Sequence, residues 1–119
     1  MRVRFRADND LDRDIIRGLL RKQPAIDFEA NPLPGLDDSA VLRLAADEGR
    51  VLVSHDVSTL PPVFARARQS MRSPGVLLVP QNSPLGQSIE HLLLIWELTE
   101  PTEWEDRICY LPTLADFLV

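Results

Sequence analysis

The stretch Val51-Leu52-Val53-Ser54-His55-Asp56 constrains the fold more than any other part of the chain. Three apolar residues run directly into a polar triplet that ends on a carboxylate. An unbroken apolar run is the pattern of a strand buried on both faces, where both sides of the pleat meet helices rather than water. Such strands belong to parallel sheets, and parallel neighbours must be joined by crossover segments, usually helical. The start of the chain has the same form: Val3-Arg4-Phe5-Arg6-Ala7 leads into Asp8-Asn9-Asp10. A further apolar run, Val76-Leu77-Leu78-Val79, is closed by Pro80.

The segments between these runs carry helical periodicity. Leu11, Ile15, Ile16, Leu19 and Leu20 fall on one side of a helix at about 100° per residue, with Arg13, Arg17 and Arg21 opposite. This predicts a helix over 11–22, capped by Asp10 and stopped by Pro24. A short strand is predicted over 25–30, with Ile26 and Phe28 on one face, and Asn31 to Gly35 reads as a loop. A second helix opens on Asp37-Asp38-Ser39 and ends at Gly49. Thr59-Leu60-Pro61-Pro62 predicts a capped start with prolines in the first turn, and a third helix across 63–71. A fourth helix runs from Ser83-Pro84 to about Leu98. Thr102 to Glu105 fits a capping box on a short turn, and Arg107 to Leu111 a last strand. The tail, Thr113 to Val119, is apolar enough to dock on the domain.

Regular alternation of strand and helix predicts one α/β domain over residues 1–119, with helices on both faces of a parallel sheet. Five strands in a chain of 119 residues suit a three-layer α/β/α arrangement with strand order 2-1-3-4-5. The first and third strands are then neighbours, and the crevice outside their carboxyl ends is where open sheets of this kind bind ligands. Asp8 and Asp56 would face each other across that crevice.

The net charge of −5 argues against a protein built mainly to coat nucleic acid, yet it is compatible with an acidic pocket that holds metal ions. Lys22 is the only lysine, so positive charge is almost entirely arginine, which pairs bidentately with phosphate and carboxylate. Cys109 is the sole cysteine; it has no internal disulfide partner and is expected in core packing. Neither a secretory pattern nor a membrane-length apolar run is seen, so the expected compartment is the cytoplasm.

Asp8, Asp38 and Asp56 are the candidate catalytic and metal-binding residues, with Asp10 as a fourth ligand. Carboxylates crowded together raise each other's pKa, and a hard divalent cation removes that cost. Mg2+ and Mn2+ take oxygen ligands and keep several waters. Each aspartate also has a structural reading. Asp10 and Asp38 can cap their helices, Asp37 can do so in place of Asp38, and an Asp after a strand is an ordinary turn residue. His55 should point to the opposite face from Asp56 and serve as a packed, hydrogen-bonded histidine. His91 reads as structural or surface. Arg13 and Arg17 form part of a solvated ridge or contact an RNA backbone. Ser54 and Ser58 lack a His/Asp partner at a spacing that suggests an acyl-transfer triad.

The segments Phe5-Arg6-Ala7-Asp8-Asn9-Asp10, Gly35 to Leu42 and Gly49 to Asp56 together resemble the small bacterial PIN-like proteins, which typically read L-A-D-E-N, then a helix opening on Asp, then a strand ending T-H-D. The resemblance covers roughly residues 1–60. It implies a PIN-like nuclease fold and a Mg2+ or Mn2+ site held by Asp8, Asp38 and Asp56. It also implies ribonuclease activity, often as the toxin of a toxin–antitoxin pair, with RNA as substrate and a small antitoxin-like protein as partner. The chain departs from the family pattern in two places. Asn9 stands where the family has an acid, and Ser58-Thr59 stand where it often has Asp-Phe. Fewer carboxylates bind metal more weakly, which points to reduced activity.

Two other classes fit the same architecture. A non-catalytic interaction module would use the crevice or the apolar tail to hold a partner protein or a second copy. A receiver-like domain would phosphorylate Asp56, but the chain lacks the expected Lys after the fifth strand and the Ser or Thr after the fourth.

Overall fold

The computed structural model describes residues 1–111. Its elements run β1 (Phe5–Ala7), α1 (Arg13–Lys22), β2 (Phe28–Glu29), α2 (Asp38–Glu48), β3 (Val51–Ser54), α3 (Leu60–Ala67), β4 (Val76–Leu78), α4 (Leu85–Leu98), a 3-10 turn (Pro101–Glu103) and β5 (Ile108–Tyr110). The five strands form one sheet in the order β2-β1-β3-β4-β5, parallel at every pairing. The expected three-layer α/β class and strand order are therefore observed.

The alternation hidden inside the apolar runs sorts the core into two layers. Phe5 and Ala7 of β1, Val51 and Val53 of β3 and Leu77 of β4 pack with Ile15, Ile16 and Leu19 of α1 and Ile89, Leu92 and Ile95 of α4. Leu52, Val76 and Leu78 face the other way, onto Val41, Leu42 and Ala45 of α2 and Leu60 and Phe64 of α3. All four residues of β3 are buried, as a central strand covered on both faces requires. At one side of the sheet the Phe5 and Phe28 rings stack with centroids 5.2 Å apart, which helps to hold the two-residue strand β2 in place.

Several boundaries differ from the sequence expectation. The α1 cap is Asp12, whose carboxylate accepts from Asp14 N at 2.9 Å, rather than Asp10. The reason is a turn in which Leu11 N donates to Asp8 O at 3.1 Å; it delays the helix by two residues and leaves Asp10 in the turn. At α2 the cap is Asp37, which accepts from Ala40 N at 2.9 Å, so Asp38 is the first helical residue. Thr59 makes no side-chain cap on α3, and that helix spans Leu60–Ala67 instead of 63–71. The capping contact after α4 lies two residues earlier than expected: Glu103 accepts from Glu100 N at 2.7 Å. Cys109 is half-buried against the core. His91 is buried in α4, and burial pushes its pKa down. Among the described residues no helix is long and apolar enough to cross a membrane. The expected docking of the tail from Thr113 to Val119 lies outside the described residues.

Candidate functional site

The register Ala7↔Val53 brings the ends of β1 and β3 side by side. Asp8 continues β1 by donating its N–H to Val53 O at 3.0 Å. Alternation then places Asp8 and Ser54 on the face of the sheet covered by α2 and α3. Asp8 is buried, 9% exposed, and Ser54 is fully buried. The Ser54 hydroxyl joins them: Oγ lies 2.8 Å from Asp8 Oδ2, 3.4 Å from Asp10 Oδ1, and accepts from Asp56 N at 3.0 Å. The carboxylates of Asp8 and Asp10 and the backbone N–H of Asp56 thus meet around one serine. Ser54 was not expected in this role; its position as the last strand residue, in register with the face of Leu52, is the signal that identifies it.

Asp38 comes in from above, on the first turn of α2. Its carboxyl is raised from its ordinary value by partial burial and then by the nearby charges of Asp56, Asp8, Asp10 and Asp37. Asp10 is also raised, first by desolvation and then by Asp8, although His55 N and Ser54 hydrogen-bond to it. Asp56 is lowered by hydrogen bonds to the side chain and N–H of Thr59 and to Ser58. Its Oδ1 accepts from Thr59 N at 2.9 Å and from Ser58 N at 3.3 Å, and Oδ2 accepts from Thr59 Oγ1. Asp56 therefore also holds the turn that enters α3, the work assigned above to Thr59. The four carboxylates surround the crevice without converging: among the described residues no group of three or more His, Cys, Asp or Glu is arranged to hold a metal ion.

What brings Asp38 over this edge is a loop tied down at three carbonyls between residues 30 and 33. Arg13 Nη1 donates to Ala30 O at 2.5 Å, Arg6 Nη2 to Asn31 O at 2.9 Å, and Asn9 Nδ2 to Leu33 O at 2.8 Å. Asn9 Oδ1 also accepts from Leu33 N at 2.7 Å. The amide at this position acts as a backbone mimic that both donates and accepts; a carboxylate could only accept. Arg6, only 2% exposed, reaches Glu29 at 3.4 Å as well. Arg17 pairs with Asp14 on the exposed side of α1. The arginines expected to meet RNA thus have partners within the chain: Arg13 acts as a strap and Arg17 as one half of a surface ion pair.

His55 leaves the crevice for the opposite face. Its Nδ1 lies 2.8 Å from Val79 O, and Nε2 accepts from Asp12 N at 3.1 Å. Both ring nitrogens are engaged, so His55 pins the start of α1 to the ends of β3 and β4 and takes no part as a ligand.

The fold and this edge define an open, doubly wound α/β domain with an acidic crevice at its topological switch point. No family model, no curated protein and no solved structure matches the chain.

Proposed function

We propose that the crevice is the active site of a divalent-cation-dependent ribonuclease of PIN-like type. The observation that carries this reading is the gathering of the Asp8 and Asp10 carboxylates around Ser54 at the adjacent carboxyl ends of β1 and β3, with Asp38 near enough that, after partial burial, the charges of Asp56, Asp8 and Asp10 raise its carboxyl. Like charges gathered at a ligand-binding edge oppose stability unless a cation joins them. The donor chemistry fits Mg2+ or Mn2+, since every group at the crevice is an oxygen donor. To hold the ion, Asp8, Asp38 and Asp56 would have to draw together from their unconverged arrangement, with Asp10 beside them. A bound ion would supply Lewis-acid polarisation of a phosphodiester and a low-pKa water.

The chain's own residues have definable tasks. Ser54 fixes the rotamers of Asp8 and Asp10 by hydrogen bonding. Asn9, Arg6 and Arg13 hold the loop that sets the height of Asp38. Thr59 and Ser58 keep Asp56 ionised. Cleavage of a single-stranded RNA in the presence of Mn2+ tests the reading. Wild type should cleave, and Asp8→Asn should lose at least about a hundredfold in rate, the equivalent of a few kcal/mol of barrier. The substitution suits the site, because an amide can still accept from Asn9 N and donate to Ser54. Equal rates in the two proteins would remove Asp8 from the chemistry.

A second reading is a non-catalytic interaction module, with a small basic antitoxin-like protein over the acidic edge. It is favoured by the engagement of both Asp56 oxygens within the turn and by the unconverged carboxylates. RNA binding or partner binding without any Mn2+-dependent cleavage would select it.

A further inference from the structure

The amino edge of the sheet, opposite the acidic crevice, carries a cavity of about 300 Å³. This is the lower end of the size range of small-molecule pockets. Ala46, Val51, Pro74 and Pro101 give it an apolar lining, while Arg4 and Arg72 bring two positive charges and Glu105 one negative. None of these residues takes part in the crevice chemistry.

The walls are fixed by contacts that do not depend on a ligand. Asp106 sits at φ 62, a conformation that a non-glycine residue keeps only where its surroundings hold it. It accepts from Ser73 N at 2.9 Å and pairs with Arg68 at 3.3 Å and Arg72 at 2.8 Å. Gly75, at φ 119, lies so close to Trp104 that a Cβ would come within 2.4 Å of its carbonyl oxygen. The segment before β4 and the segment before β5 are therefore locked together. Arg72 pairs through Nε and Arg4 gives one Nη to the Glu48 carbonyl, so each guanidinium keeps further N–H donors.

We propose that this cavity binds a small organic anion with a flat apolar body, an aryl carboxylate in chemical class. The ring would lie against Ala46, Val51 and the two prolines, and the carboxylate would take donors from Arg4 and Arg72. The negative charge of Glu105 on the same wall selects a monoanion over a polyphosphate. Arginine suits this task because its planar fork matches a carboxylate bidentately.

Isothermal titration of the full chain with 2-naphthoate tests the proposal. Saturable one-to-one binding is expected, with Kd on the order of 0.1 mM. The Arg4→Gln/Arg72→Gln double variant should weaken it roughly tenfold, as expected for lost charge-assisted hydrogen bonds. Ala46→Phe fills the cavity without removing a charge and should abolish binding. Arg4→Glu reverses a charge at an exposed position and gives the same answer should Ala46→Phe fail to fold. The neutral 2-naphthalenemethanol should bind more weakly than the anion. Absence of binding by wild type overturns the proposal. So does unchanged affinity in a folded Ala46→Phe or in Arg4→Glu, or full competition by equimolar inorganic phosphate, which would mark a simple anion patch.

Discussion

At the carboxyl edge of the sheet Asp8, Asp10, Asp38 and Asp56 share a crevice, and none of them has an arginine or lysine ion-pair partner among the described residues. At the amino edge Asp106 is held by two arginines and a backbone N–H. The electrostatic consequences run in opposite directions. Asp10 and Asp38 are raised from their ordinary value, with carboxylate neighbours among the causes. Asp106 is lowered by the Ser73 N–H and then by Arg68 and Arg72. Compensated charge closes a turn and stiffens a cavity wall. At the carboxyl edge Asp56 closes the turn into α3 through Ser58 and Thr59, while Asp10 and Asp38 are raised by their carboxylate neighbours, the imbalance that the proposed cation would relieve.

The largest expected effect that sharpens this contrast is steric. Gly75→Ala at the amino edge meets the Trp104 backbone and adopts a disfavoured φ, so it should cost about 3 kcal/mol in denaturant unfolding. Gly35→Ala, in the loop before α2, has the same kind of positive φ but no atom within 4 Å of the added Cβ, so about 1 kcal/mol is expected. Equal costs would show that the amino-edge segments are not locked as described.

Next in size is the loop over the crevice. Asn9→Asp removes the donor to Leu33 O and adds a fifth acid to the edge, so it should cost about 2 kcal/mol. It should also weaken Mn2+ binding by loosening Asp38, despite the added charge. Tighter Mn2+ binding with unchanged stability would mean that the amide is only a diminished ligand and not a strap.

The smallest effects separate the two edges by pH. For Asp38 the folded pKa lies above the usual 3.8. The folded state therefore takes up the proton first, and stability is gained as pH falls through that raised value. For Asp106 the folded pKa lies below 3.8, so its contribution is present above 3.8 and is lost as pH falls through the folded value. Asp38→Asn should raise Tm at neutral pH by roughly 2 °C, a figure kept small by solvent screening. Asp106→Asn should lower Tm, less so in high salt. A fall in Tm for Asp38→Asn would show that its charge is already compensated.

The strand order, and with it the placement of Asp8 and Asp56 just beyond the ends of the neighbouring strands β1 and β3, was legible because long apolar runs and regular alternation leave few topologies. The local assignments around them were not. Asp10 and Asp12 are equally good caps by propensity, and only the Asp8–Leu11 turn decides between them. Thr59 looks like a cap, yet Asp56 reaches forward to do that work. Ser54 has no triad partner in the sequence, whereas its role is to bridge the Asp8 and Asp10 carboxylates, which needs only its position on the strand. Arg6 and Asn9 show the same limit: side chains that grip distant backbone carry no periodic signal.

The proposed activity requires the crevice to draw a cation to its uncompensated aspartates, and Mn2+ calorimetry at neutral pH measures that directly. Wild type should bind Mn2+ saturably, and Asp38→Asn and Asp56→Asn should each weaken it about tenfold or more. Absence of Mn2+ binding, or equal affinity in wild type and both variants, would contradict it.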